Sequence, residues 1–178
     1  MSDFDITIIG INPQPWEIGP LSVGRARGGV FPKVGRAERL YTYQEAIKEE
    51  ILLQQPEANG RFDDAEGLSL NFDFWRQLEQ HQGKSRKQTG QRVDVTNLQK
   101  GTEDALQGIL FPNDKVVKHV ESYLHRQEVD VIPLIRIRIS VMTPQEVADA
   151  AAEALYWESV REYRDGPDET SPLNDNSW

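Results

Sequence analysis

A chain of 178 residues and 20.3 kDa, 38% hydrophobic and 28% charged, has length for one domain and an appendage, with a polar surface. No apolar run approaches the ~20 residues that span a bilayer, the acidic start MSDFDITIIG is wrong for a secretory signal, and the lack of cysteine excludes disulfides, thiol nucleophiles and cysteine-ligated zinc. The net charge of -9 is uneven: from Pro144 onward nine acids meet only Arg161 and Arg164, whereas residues 1–143 carry 18 basic and 20 acidic residues, a balance that does not bar the body from nucleic acid.

In chain order, FDITIIGINPQ alternates and predicts a first strand closed by Asn12 and Pro13. The stretch WEIGPLSVGRARGGVFPKVGRAER is glycine-rich and carries Arg25, Arg27, Lys33, Arg36 and Arg39. It reads as a long functional loop with phosphate-contact candidates. TYQEAIKEEILLQQ has helical spacing through Ala46, Ile47, Ile51 and Leu52 and ends before Pro56. LSLNFDFW predicts a strand with Leu68, Leu70, Phe72 and Phe74 on one face. Between Gly83 and Arg92 the chain has Lys84, Arg86, Lys87 and Arg92 and no acid. A solvated hairpin loop is the ordinary explanation; the position just before an acidic cluster suits a segment tracking a phosphate backbone.

That cluster is RVDVTNLQKGTEDALQGILFPNDKVVKHV. Leu98, Ala105, Leu106 and Ile109 fall at helical offsets, with Thr96 as the expected N-cap and Gly108 as terminator. Asn97, Lys100, Asp104 and Gln107 then share the opposite face. Asp94 precedes this helix and Asp114 follows it. Eleven helical residues rise roughly 16 Å, and the six residues from Gly108 to Asp114 reach ~20 Å when extended. The chain is therefore long enough to fold back and bring Asp114 to Asp94 at the helix N-terminus. Two carboxylates there, beside Asn97 and Lys100, suit hydrolysis of a phosphodiester with Mg²⁺, an oxygen-ligated ion that keeps its waters. Lys100 would stabilise developing negative charge. By spacing alone, an ordinary polar helix face is the commoner explanation.

Beyond it, DKVVKHVESYLHRQ and VIPLIRIRISV predict two strands joined by a short turn around Glu128 to Asp130. Ile135, Ile137 and Ile139 share one face; Arg136 and Arg138 share the other, which is either solvated or in contact with DNA. Thr143-Pro144-Gln145-Glu146 is a capping box that should open a helix running to about Tyr163. The remainder, DGPDETSPLNDNSW, has little apolar content and is expected to be disordered unless docked. His81, His119 and His125 show no metal-ligand spacing. Trp16, Tyr41, Tyr43 and Trp75 are candidates to stack on unpaired bases, although packing is the better expectation for Trp75.

DVTNLQKGTEDALQGILFPNDKVV resembles the signature of the RusA family of Holliday-junction resolvases, Asp-x-Asp-Asn-Leu-x-Lys followed by a helix with Asp-Ala-Leu and an acidic pair before a valine-rich strand. Asp94, Asn97, Leu98, Lys100, Asp104, Ala105, Leu106 and Asp114 stand at matching positions. The resemblance implies an α+β fold, a mixed sheet of about four or more strands packed with helices. Residues 1–142 would form the nuclease domain, and residues 143–178 a helical appendage and acidic tail. It also implies a cytoplasmic, homodimeric, Mg²⁺-dependent endonuclease (Mn²⁺ as substitute) that cuts four-way DNA junctions, with phage DNA processing as a fitting context. Asp94 and Asp114 would be metal ligands, with Thr96 and Asp104 as candidate additional ligands, and Lys100 a catalytic cation. Arg25, Arg27, Lys33, Arg36, Lys84, Arg86, Lys87, Arg92 and Asn97 would face DNA. The sequence departs from the pattern in two places: the second aspartate is Thr96, and the acidic pair is Asn113-Asp114. Threonine can coordinate through its hydroxyl or a water but removes one formal charge, which Glu103, Asp104 or a partner chain could supply. The alternative function is a catalytically weak protein that grips branched DNA through its basic loops.

Overall fold

Alternation of apolar and polar residues builds one sheet, and two amphipathic helices cover one side of it. A computed structural model describes residues 3–16, 18–26, 29–36, 38–82, 87–89 and 92–164, with residues 18–26, 29–36, 81–82, 87–89 and 162–164 described through their backbone. In order these are β1 (Phe4–Ile9), β2 (Ile18–Ala26), β3 (Gly29–Arg36), α1 (Glu38–Gln54), β4 (Leu68–Gln77), β5 (Gln80–Gln82), β6 (Lys87–Thr89), α2 (Val95–Leu106), β7 (Val117–Glu128), β8 (Leu134–Val141) and α3 (Pro144–Arg164). The fold is α+β.

The main sheet has the order β1-β8-β4-β7. β4 lies antiparallel to β8 and parallel to β7, and β8 lies antiparallel to β1. Parallel strands need a long crossover, and the segment holding α2 supplies it. Facing the helices are Phe4, Ile6 and Ile8 from β1, Ile135, Ile137 and Ile139 from β8, and Leu68, Leu70, Phe72 and Phe74 from β4, all buried. Leu40, Ile47 and Ile51 of α1 and Leu98, Ala105 and Leu106 of α2 close this core. Each large side chain so buried contributes roughly 1.5–3 kcal/mol of transfer free energy, which is why the alternation sets the register.

The other side of the sheet is polar. Arg136 grips Asp5 through two bonds of 3.0 and 2.6 Å, and this hydrogen bonding holds the Asp5 carboxyl below its ordinary value. Asp73, on the central strand, is reached at 2.6 Å by both Arg138 and His125, and the His125 ring stacks on Trp75 with centroids 4.2 Å apart. Both arginines are thus tied to carboxylates, the signature of an internally neutralised face rather than a DNA-contact face.

Two sequence expectations change. The stretch around residues 16–39, expected as a loop, contains the antiparallel pair β2–β3, in which Arg25 opposes Val30 and Ser22 opposes Lys33; its glycines obscure an extended pattern through Leu21, Val23, Val30, Phe31 and Val34. The strands β7 and β8 are joined by a short turn as expected, and β4 lies between them in the sheet. And α2 begins at Val95 with Asp94 as its N-cap, not Thr96. The basic segment after β4 does fold back, through the β5–β6 pair. The capping box forms as read: Thr143 N and Oγ1 donate to Glu146 at 2.7 and 2.8 Å, and Glu146 N returns a bond to Thr143 Oγ1 at 3.3 Å. The outer half of α3 leaves Leu155, Tyr156 and Trp157 exposed. The acidic tail from residue 165 lies outside the described residues. No helix among them is long and apolar enough to cross a membrane.

Candidate active site

α2 has an inner face that locks it in place. Leu98, Gly101, Thr102, Ala105 and Leu106 are buried. Thr102 Oγ1 donates to the Leu98 carbonyl at 2.9 Å and lies 2.6 Å from the Tyr43 hydroxyl, while Gln44 Nε2 donates to the Gly101 carbonyl at 3.1 Å. These bonds satisfy polar atoms that burial would otherwise leave unpaired. Burial pushes the Tyr43 phenol up and removes its ring from any role in stacking on DNA. Gly101 is where the segment 14–16 crosses the helix. A Cβ there would sit 2.9 Å from the Gln14 carbonyl oxygen, so glycine is required for the approach. The crossing is fixed by Trp16 N donating to the Asn97 carbonyl at 2.8 Å.

The outer face carries charge. Thr96, Asn97 and Lys100 are exposed, and Glu103 and Asp104 are half-buried. Lys100 Nζ rests 3.9 Å above the Trp16 ring, a cation–π contact that holds the ammonium in place. The Asp94 carboxylate makes no capping bond and is exposed. Partial burial raises the Glu103 carboxyl above its ordinary value; Asp104 and Asp114 add to the rise, and a hydrogen bond from Gln99 and the charge of Lys100 oppose it.

β7 runs back along α2. Gln127 clamps the Val93 backbone, accepting from its N–H at 2.8 Å and donating to its carbonyl at 3.2 Å. Nearer the middle, Ser122 donates to Gln99 at 2.9 Å. Asp114 opens the short 3₁₀ turn before β7, capped by Asn113, whose side chain accepts from Lys115 N at 3.0 Å. The fold-back therefore carries Asp114 into the electrostatic neighbourhood of Glu103. Glu103 lies nine residues past Asp94, roughly 13 Å along the helix axis. No hydrogen bond or ion pair joins Asp94 to Asp114 among the described residues, and no group of three or more His, Asp or Glu side chains there is placed to hold a metal ion. The donors still suit a divalent cation held by one or two carboxylates and completed by water and phosphate oxygens, since they are all oxygens.

Of the DNA-contact candidates, Arg92 is exposed beside the start of α2, as is Asn97 in its first turn. Arg25 lies on β2, Lys33 and Arg36 on β3, and Lys87 on β6. Arg27, Lys84 and Arg86 lie outside the described residues. Tyr41 is 56% exposed, Trp75 stacks on His125, and His119 sits 3.4 Å from Glu121. Sequence reading missed Gln127, which carries no signal, and Gly101, whose signal is a glycine inside a helical pattern.

Residues 22–140 match the family model described as Endodeoxyribonuclease RusA. The match runs from Ser22, inside β2, through all but the last residue of β8, with the whole of α2 and Asp114, and leaves β1 and α3 outside. No curated protein matches the chain. With well over half of its residues in the match, the chain belongs to the RusA endodeoxyribonuclease family.

Proposed function

We propose that this chain is a divalent-metal-dependent endonuclease that hydrolyses phosphodiester bonds in four-way junctions or related branched DNA, working as a homodimer in recombination, repair or phage DNA processing. The observation that carries this reading is the outer face of α2, where Lys100, Glu103 and Asp104 lie together with Asp114 alongside. Asp94 and Asp114 would each ligate a divalent cation (Mg²⁺ or Mn²⁺) along this face, with Asp104, Glu103 or Thr96 adding an oxygen. A bound ion of this kind supplies activated water and offsets charge on the phosphoryl oxygens. The chain's own part is positional. Lys100, seated on Trp16, presents a fixed cation to the scissile phosphate. Asn97 and Arg92 flank it at the helix start, and Arg25, Arg27, Lys33, Arg36, Lys84, Arg86 and Lys87 would track the DNA backbone.

The test is cleavage of synthetic four-way junctions with Mg²⁺ or Mn²⁺, comparing wild type with Asp94→Asn and Asp114→Asn. Wild type should cut, and both variants should bind without cutting, with rates lower by about a thousandfold or more. A second reading draws on Thr96, exposed where the family pattern has an aspartate: a branched-DNA-binding protein of weak activity. Binding by the wild type without cleavage under either metal selects it.

A further inference from the structure

Lys100 is exposed, and a lysine is a point charge on a flexible stem that keeps one geometry only where something fixes it. What fixes it here comes from the end of β1. Asn12 is bound twice to Gln77 at the end of β4: its Nδ2 donates to the Gln77 carbonyl at 2.9 Å, and its Oδ1 accepts from Gln77 N at 2.9 Å. Arg76 Nε donates to the Pro13 carbonyl at 3.1 Å, and Gln14 Nε2 turns back to the Asn12 carbonyl at 3.2 Å. Pro13 and Pro15 are both buried, and each ring locks its own φ and restricts the residue before it. Residues 12–16 thus form a strap with little freedom left, moored to the central strand at one end and to α2 at the other.

The strap meets α2 within a single turn. Trp16 N donates to the Asn97 carbonyl at 2.8 Å, the Gln14 carbonyl lies against Gly101, and the Trp16 ring lies 3.9 Å beneath Lys100 Nζ. Asn97, Lys100 and Gly101 are spaced by three and four residues, so one patch of helix surface takes all three contacts. The anchors that place the ring are main-chain and strap contacts in which Lys100 has no part. The seat is built independently of its occupant, and the strap then leads into β2, which begins at Ile18. Trp16 stands outside residues 22–140, the stretch that the family model matches.

We infer that Trp16 is a positioning residue of the active site: its ring, fixed by the strap of residues 12–16, sets where the Lys100 ammonium stands. The inference rests on Lys100 serving junction cleavage as proposed above, and it gives the ring to the lysine instead of to an unpaired base. A cation placed before the phosphate arrives favours the cleavage step over DNA binding.

Two measurements on the full chain test it. The first needs no activity. Protons above an indole face are shifted upfield by its ring current, so the Lys100 ε-methylene resonances, assigned from Lys100→Arg, should lie upfield of the ordinary lysine position. They should return to that position in Trp16→Leu and stay partly shifted in Trp16→Phe. The second is cleavage of four-way junctions. Trp16→Leu should lower kcat about tenfold with KM unchanged, and Trp16→Phe should recover most of the rate. Adding Trp16→Leu to Lys100→Met should cost nothing further, because the two residues act through one contact. A loss additive with Lys100→Met would mean that the ring acts through the fold, and a raised KM at unchanged kcat would mean that it stacks on a base. Either result overturns the inference, as do Lys100 resonances at the ordinary position in the wild type. A wild type that does not cut defeats the nuclease reading instead, and the resonances then decide alone whether the ring seats the lysine.

Discussion

The two faces of α2 divide the labour of a single helix. Inside, neutral contacts position it: a glycine crossing, a threonine–tyrosine bond and leucines against the sheet. Outside stand Lys100, Glu103 and Asp104, on the side of the helix away from the sheet, where a substrate's charge can reach them. Lys100 shows the distinction well, since among the described residues its ammonium rests on the Trp16 ring. Site chemistry and helix docking should therefore respond to different substitutions.

The largest effect should come from the outer face. Beside the aspartate variants, Lys100→Met should slow junction cleavage by about a hundredfold and leave the urea midpoint within error of wild type; a large loss of stability would erase the contrast between the faces. Next is Gly101→Val on the inner face. The main-chain oxygen of Gln14 cannot swing aside as a side chain would, so unfolding free energy should fall by about 2–3 kcal/mol, read by urea denaturation. Tyr43→Phe is milder, removing one buried hydroxyl bond and costing about 1 kcal/mol with the cleavage rate of the folded protein unchanged.

Smallest is a change far from both faces. Arg136 depresses the Asp5 carboxyl below its ordinary 3.8, so the ionised group stabilises the fold above that value and the benefit is lost as pH falls through the folded value. Wild type should melt slightly above Asp5→Asn at neutral pH, with the two curves meeting in acid. A gap that persists in acid would mean that packing, not charge, sets it.

Much of this architecture can be read from the residues. The alternation of Leu68 to Phe74 and Ile135 to Ile139 determines the buried faces of β4 and β8, and the Thr143–Glu146 box starts α3 where its bonds are found. β2 and β3 are harder to see because glycine and proline interrupt their pattern. The neighbours of β4 are invisible to periodicity, since order within a sheet depends on which strand can reach which partner. At the site, the acids and Lys100 stand out by type and spacing. Their arrangement does not: chain length shows that Asp114 can travel back along α2, but no spacing shows that it comes within electrostatic reach of Glu103. Nor does a sequence show that Trp16 lies beneath Lys100, a contact between residues that only the glycine crossing makes adjacent.

The placement of β4 between β8 and β7 also governs when this protein can come into being. Both partners of β4 are synthesised after it, and β1 joins the sheet only through β8, pairing Phe4 with Ile139. During synthesis the first strand must wait for nearly the last, and contacts this distant in sequence form slowly. A nascent chain that has emerged through α2 holds Asp94, Lys100 and Asp104 but neither Asp114 nor a sheet to align them. The sheet that aligns the outer face of α2 is therefore complete only once β8 has been made.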